Sequence, residues 1–144
     1  MKIGISACLC GYNVRYDGGN KRNDALLKLL QGHELIMVCP EMEAGFPVPH
    51  EPIEIKGNRA FTKDGTDVND QLFAGSMRCL ETVAGCELLI LKEKSPSCGS
   101  GRIYDGTFSG TLITGNGVFT GLCLQRRMKV FGETQLQEIE KELR

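Results

Sequence analysis

The chain has 144 residues, with 17 Lys and Arg against 18 Asp and Glu and a formal charge of -1. That is an ordinary length for one domain, without the basic excess that free nucleic-acid binding needs. No apolar run approaches the roughly 20 residues that span a bilayer, and the opening MKIGISA lacks the apolar stretch of a signal peptide. A single domain over 1–144 is therefore expected, cytoplasmic and without membrane or nucleic-acid partners; composition fixes no oligomeric state.

Ile3-Gly4-Ile5-Ser6-Ala7 reads as a buried strand, and Asp24 to Leu30 carries leucines at helical spacing that stop near Gly32. Leu35 to Val38 predicts a second strand. After a Pro/Gly-rich stretch, Asp67 to Ala84 returns to a helical pattern beginning at an Asp cap. Leu88 to Leu91 predicts a third buried strand, Val118 to Arg127 a helix, Met128 to Phe131 a short fourth strand and Thr134 to Leu143 an amphipathic last helix. Strands that are apolar throughout and alternate with helices predict a mostly parallel four-stranded sheet covered on both faces. The expected class is a three-layer α/β/α domain, Rossmann-like or flavodoxin-like. Two connections, Pro40 to Thr66 and Glu93 to Gly117, are long for such a fold, and long loops in compact domains usually serve function.

Seven cysteines, at positions 8, 10, 39, 79, 86, 98 and 123, form an odd set with no export signal, which excludes a disulfide framework. Cys79, Cys86 and Cys123 stand in apolar helical stretches as small buried hydrophobes. Cys8, Cys39 and Cys98 each follow a predicted strand, and parallel strands deliver all three to the sheet edge where open α/β sheets bind ligands. Three thiolates suit a [4Fe-4S] cluster with one iron lacking a protein ligand, or, as the alternative metal, zinc with an open position. An all-sulfur donor set favours iron–sulfur. The chain's two histidines, His33 and His50, offer zinc little: His33 falls at the wrong edge, and only His50 lies on a loop that reaches the site. A cysteine-phosphatase register fails, since six residues separate Cys8 from Arg15 and four separate Cys10 from it.

Polar residues accompany the cysteines. Glu41, two residues past Cys39, has no turn role and is the first candidate general base; Asp17 is the second, although Asp17-Gly18 and Asp105-Gly106 also fit plain turn chemistry. Arg15, Ser97 and Ser95 are candidate substrate contacts, while Lys92, Lys94 and Arg102 flank Cys98 as possible counter-charges. The glycine-rich Gly110 to Gly117 matches no nucleotide-binding pattern.

Taken in order, Ser6-Ala7-Cys8-Leu9, Val14-Arg15-Tyr16-Asp17-Gly18, Val38-Cys39-Pro40-Glu41, Lys94-Ser95-Pro96-Ser97-Cys98-Gly99, Ile103-Tyr104-Asp105-Gly106-Thr107-Phe108 and Gly115-Asn116-Gly117-Val118 span nearly the whole chain. Together they resemble the 2-thiouracil desulfidase family. The resemblance implies a four-iron cluster on Cys8, Cys39 and Cys98 and hydrolytic removal of sulfur from a small thiolated base such as thiouracil. Three positions depart from the family pattern as expected: His50 in place of Arg, Phe119 in place of a small or hydroxylated residue, and Cys10 in place of an aliphatic one. The competing reading is a non-catalytic cluster- or zinc-binding module for redox sensing or docking.

Overall fold

The computed structural model describes residues 1–144. Its main sheet has four parallel strands, β1 (Lys2–Ser6), β2 (Glu34–Val38), β5 (Leu88–Leu91) and β8 (Val130–Gly132), in the order β2-β1-β5-β8. Lys2–Ser6 lies in register against Glu34–Val38, and Ile3–Ile5 against Leu88–Ile90. The chain leaves β1 for β2 on one side and later fills the other side with β5. Here the strand order reverses, and the crevice beyond the strand ends lies beside β1.

The apolar strands bury both faces of the sheet. Leu88 and Ile90 join Ile3 and Ile5 against Leu26 and Leu30 of helix α1 (Asp24–Leu29) and its cap, and against Ile139 of α5 (Leu136–Leu143). Leu89 and Leu91 point the other way, packing with Val38 against Leu80 and Val83 of α3 (Asn69–Val83) and Phe119 of α4 (Val118–Gln125). Each fully buried Leu, Ile or Phe contributes about 1.5–3 kcal/mol over its exposed state, so these two layers fix the sheet that carries the site. Helix α3 begins at Asn69, later than the expected Asp67 start: Val68 holds the cap position, and the Asp67 carboxylate, one residue earlier, accepts the Asn69 N–H at 2.9 Å.

The two long connections are folded rather than open loops. The first contains the short helix α2 (Pro40–Glu43) and a hairpin of β3 (Ile53–Lys56) and β4 (Arg59–Thr62); the second contains the hairpin of β6 (Arg102–Tyr104) and β7 (Leu112–Thr114). Ile53, Ile55, Ala60 and Ile103 from these hairpins form a third core with Val68 and Leu72. Strands of three or four residues are too short for period-two alternation to stand out from a loop. The last strand also begins later than expected, at Val130 rather than Met128, because Met128 instead donates its N–H to the Cys123 carbonyl and closes α4. No helix is long and apolar enough to cross a membrane.

Candidate metal centre and active site

Cys8 lies in the 3-10 turn Ala7–Cys10 that continues β1, Cys39 precedes Pro40 at the start of α2, and Cys98 lies in the turn after β5. All three line one cavity of about 540 Å³. The turn at Cys98 is held by Ser95, whose Oγ accepts the N–H groups of Ser97 at 3.1 Å and Cys98 at 3.0 Å. Two close approaches set the cysteine segments against the helices. A Cβ on Gly117 would stand 2.5 Å from the Ser97 carbonyl, and one on Gly75 would stand 2.5 Å from the Ala44 nitrogen and 2.6 Å from the Pro40 oxygen. Only glycine lets α4 seat beneath Ser97-Cys98, and α3 beneath Cys39-Pro40-Glu41.

Burial, then the neighbouring Cys39, pushes the Cys8 thiol up from 9.0 to about 11, against the pull of Lys92 and Arg15. Cys39 is also raised, first by burial, although the N–H groups of Met42 and Glu41 at the start of α2 draw it back. Cys98 is raised well above 9.0 by burial and by the other two sulfurs, with the Ser6 and Ser97 hydroxyls opposing. Burial and the repulsion that neighbouring thiolates would feel keep these thiols neutral on their own; a bound cation reverses the balance, because coordination deprotonates a thiol. Three soft sulfur donors facing one cavity, with no histidine among its lining residues, suit an iron–sulfur cluster whose irons take one thiolate each.

Glu41 reaches the same cavity and is hydrogen-bonded across it. Ser97 Oγ donates to Glu41 Oε2 at 3.1 Å and also stands 3.8 Å from Cys98 Sγ; while its one proton is on Glu41, the 3.0 Å contact between the two serine hydroxyls runs from Ser95 to Ser97. His50 Nε2 stands 3.2 Å from Glu41 Oε1, in a pair whose side chains are only 8% and 16% exposed. His50 Nδ1 lies 2.6 Å from the Glu51 carbonyl and therefore carries a hydrogen. Nε2 has no aligned hydrogen-bond partner, which makes the Glu41 approach a contact of charge. Desolvation opposes charge on His50, but Glu41 and the Glu51 carbonyl outweigh it and raise the histidine pKa.

The remaining sequence candidates divide. Arg15 lines the cavity, with Nη1 at 3.3 Å from Asp17 Oδ2. Asp17 does not line it: its carboxylate is spent on Arg15 and on the Gly19 N–H at 2.9 Å. Lys92 lines it and is held by Glu133 at 2.9 Å, whereas exposed Lys94 reaches it without a carboxylate partner and Arg102 does not reach it. Phe119 is fully buried in the core between α3 and α4, and Cys10 stands outside the cavity with its carbonyl on Arg22. The sequence reading missed Ser6, a buried lining residue whose Oγ accepts the Lys92 N–H at 2.9 Å. A lone hydroxyl at the end of an apolar strand was its signal. It also missed Glu54, on a hairpin that had no detectable period.

The family model described as 2-thiouracil desulfurase matches residues 3–135. The chain is 38% identical over 147 residues to the uncharacterized protein YbbK of Bacillus subtilis (strain 168), covering 94% of this chain and 97% of that one. It is also similar to the solved structure of the [4Fe-4S]-dependent thiouracil desulfidase TudS, with 40% identity and a TM-score of 0.89 over 99% of this chain and 97% of that one.

Proposed function

The chain belongs to the 2-thiouracil desulfurase family, and on that premise we propose that it hydrolyses the C=S group of a thiolated pyrimidine such as thiouracil to C=O, releasing sulfide, with a [4Fe-4S] cluster on Cys8, Cys39 and Cys98. The observation that carries this is the meeting of three strand-end thiols and the Glu41–Ser97 hydrogen bond in one cavity. Cys8, Cys39 and Cys98 would hold a cluster with one iron lacking a protein ligand, which would supply Lewis-acid polarisation of the C=S bond.

The chain's own groups do the rest. Glu41 is the base that takes a proton from the attacking water at Oε2. Ser97, aimed by Ser95, holds that oxygen and is placed to bond the substrate once Glu41 is protonated. Ser95 acts chiefly by shaping the Cys98 turn. Arg15, oriented by Asp17, offers guanidinium N–H donors to a carbonyl of the base. Water enters and sulfide leaves, so no net electron transfer is needed.

Anaerobic reconstitution tests the reading. The loaded protein is expected to be brown, with about four irons and four sulfides per chain, and to convert 2-thiouracil to uracil with stoichiometric sulfide. Stoichiometric zinc without acid-labile sulfide, or a loaded cluster with no turnover, would overturn it.

A further inference from the structure

One wall of the cavity is built by the hairpins, away from the cysteines and Glu41. Phe108, half-buried between β6 and β7, lines the cavity with a backbone φ of +57°, a conformation that side-chain-bearing residues rarely adopt. It is held there by Glu54 of β3, whose Oε1 accepts the N–H of Gly106 at 3.0 Å and that of Phe108 at 3.1 Å. The turn is pressed onto the strand: a Cβ on Gly106 would lie 2.5 Å from the Lys56 Cβ. Asp105 closes the turn from its other side by accepting the Thr107 N–H at 2.9 Å. Two polar anchors thus fix an apolar ring in a strained backbone at the edge of a site for a flat heterocycle. Such strain persists only where its surroundings over-determine it, and it gathers at functional sites.

We propose that Phe108 is the stacking wall for the pyrimidine ring and that Glu54 is a positioning residue, acting on the substrate only by holding Phe108 in place. This rests on the desulfidase reading and adds to it how the base is gripped. Stacking on an aromatic face tolerates different substituents, because every pyrimidine has a π face. The wall therefore selects a flat ring and leaves the position of the sulfur to the other groups. Lost stacking removes binding shared by ground and transition states, which raises KM and spares kcat.

The test uses cluster-loaded full-length protein, with iron quantified, 2-thiouracil kinetics, and the dissociation constant for uracil by calorimetry. Phe108→Leu, which keeps an apolar side chain without a ring, is expected to raise KM and the uracil dissociation constant by about 5- to 150-fold, the span of one lost base–aromatic stack, with kcat within about threefold. Glu54→Ala should behave alike, and the double variant no worse than either single one, because the two residues serve one wall. Glu54→Gln keeps the accepting oxygen and should recover most of the loss. If Glu54→Gln is as impaired as Glu54→Ala, the carboxylate charge meets the substrate directly and the positioning role is refuted. An active wild type with an indifferent Phe108→Leu removes this proposal alone; a wild type that neither turns over 2-thiouracil nor binds uracil removes the functional reading with it. Should Glu54→Ala lose iron or fold, Phe108→Leu and Glu54→Gln still decide.

Discussion

Replacing Glu41 by Gln separates chemistry from cluster binding, because the site accommodates the amide. The new side-chain oxygen can accept the Ser97 hydroxyl as Oε2 does now at 3.1 Å. The amide nitrogen then faces His50 Nε2, which accepts from it in the neutral ring, since Nδ1 carries its hydrogen on the Glu51 carbonyl and the carboxylate that favours the charged ring is gone. Both partners stay satisfied, so iron content and folding should match the parent. The amide cannot take a proton from water, and general bases contribute typically ~100- to 10,000-fold, or about 3–5 kcal/mol of barrier. Glu41→Ala is a poorer probe, since it strands the Ser97 hydroxyl and the His50 ring at about 1–3 kcal/mol each. The assay follows loss of thiouracil absorbance and sulfide release, with Asp17→Asn alongside. The Asp17 side chain is 44% exposed in its pair with Arg15, and a surface pair is worth about 0–1 kcal/mol, so its loss should stay below about fivefold. Wild-type rates in Glu41→Gln on every substrate the parent accepts, or an equal collapse in Asp17→Asn, would refute the assignment of the base.

Single replacement of Cys8, Cys39 or Cys98 by Ser should abolish or cripple iron binding; full iron in Cys98→Ser would sink the ligand set. Gly75→Ala leaves every thiol intact but drives a methyl into the backbone of Pro40 and Ala44. Overpacking of that kind costs about 1–3 kcal/mol, and displacing α2 should lower iron content as well, so a fully loaded and equally stable variant would show that the close approach does not set Cys39. Burial pushes Cys123 from 9.0 up to about 12, which raises its folded pKa above the unfolded one. Its stability contribution is therefore complete below about pH 9 and lost as pH rises through about 12. Denaturation midpoints of the metal-free protein should fall above pH 9, and less steeply in Cys123→Ala than in the parent; parallel curves would contradict that.

The main sheet was legible because its strands are apolar on both faces. Leu88-Leu89-Ile90-Leu91 feeds two cores at once, and that continuous run marks a parallel strand between helix layers. The cysteine edge followed from the same fact, since residues just past successive parallel strands share an edge whatever their separation in sequence. What topology could not supply was the pairing within the edge. Arg15 is engaged by Asp17, while Glu41 takes Ser97 from another strand end and His50 from the long connection. Partners 56 and nine residues away leave no periodic trace.

Apart from Ser6, the lining residues that the sequence did not single out share a physical cause. Glu54, Phe108 and Tyr104 reach the cavity from hairpins of three- and four-residue strands, below the length at which alternation is recognisable. Asp105-Gly106 reads as a turn and is one: Gly106 has φ +93°, and Asp105 accepts the Thr107 N–H. Its use lies in where the turn is pinned, and that depends on a carboxylate more than fifty residues away in the chain. The layered sheet thus fixes the three thiols and Glu41, the proposed base, whose chemistry would be common to any thiocarbonyl, and the inserted hairpins supply the proposed wall for the heterocycle. Change in substrate should therefore track the hairpin wall around Phe108 more than the cysteine edge, whose geometry is bound to the packing of the sheet.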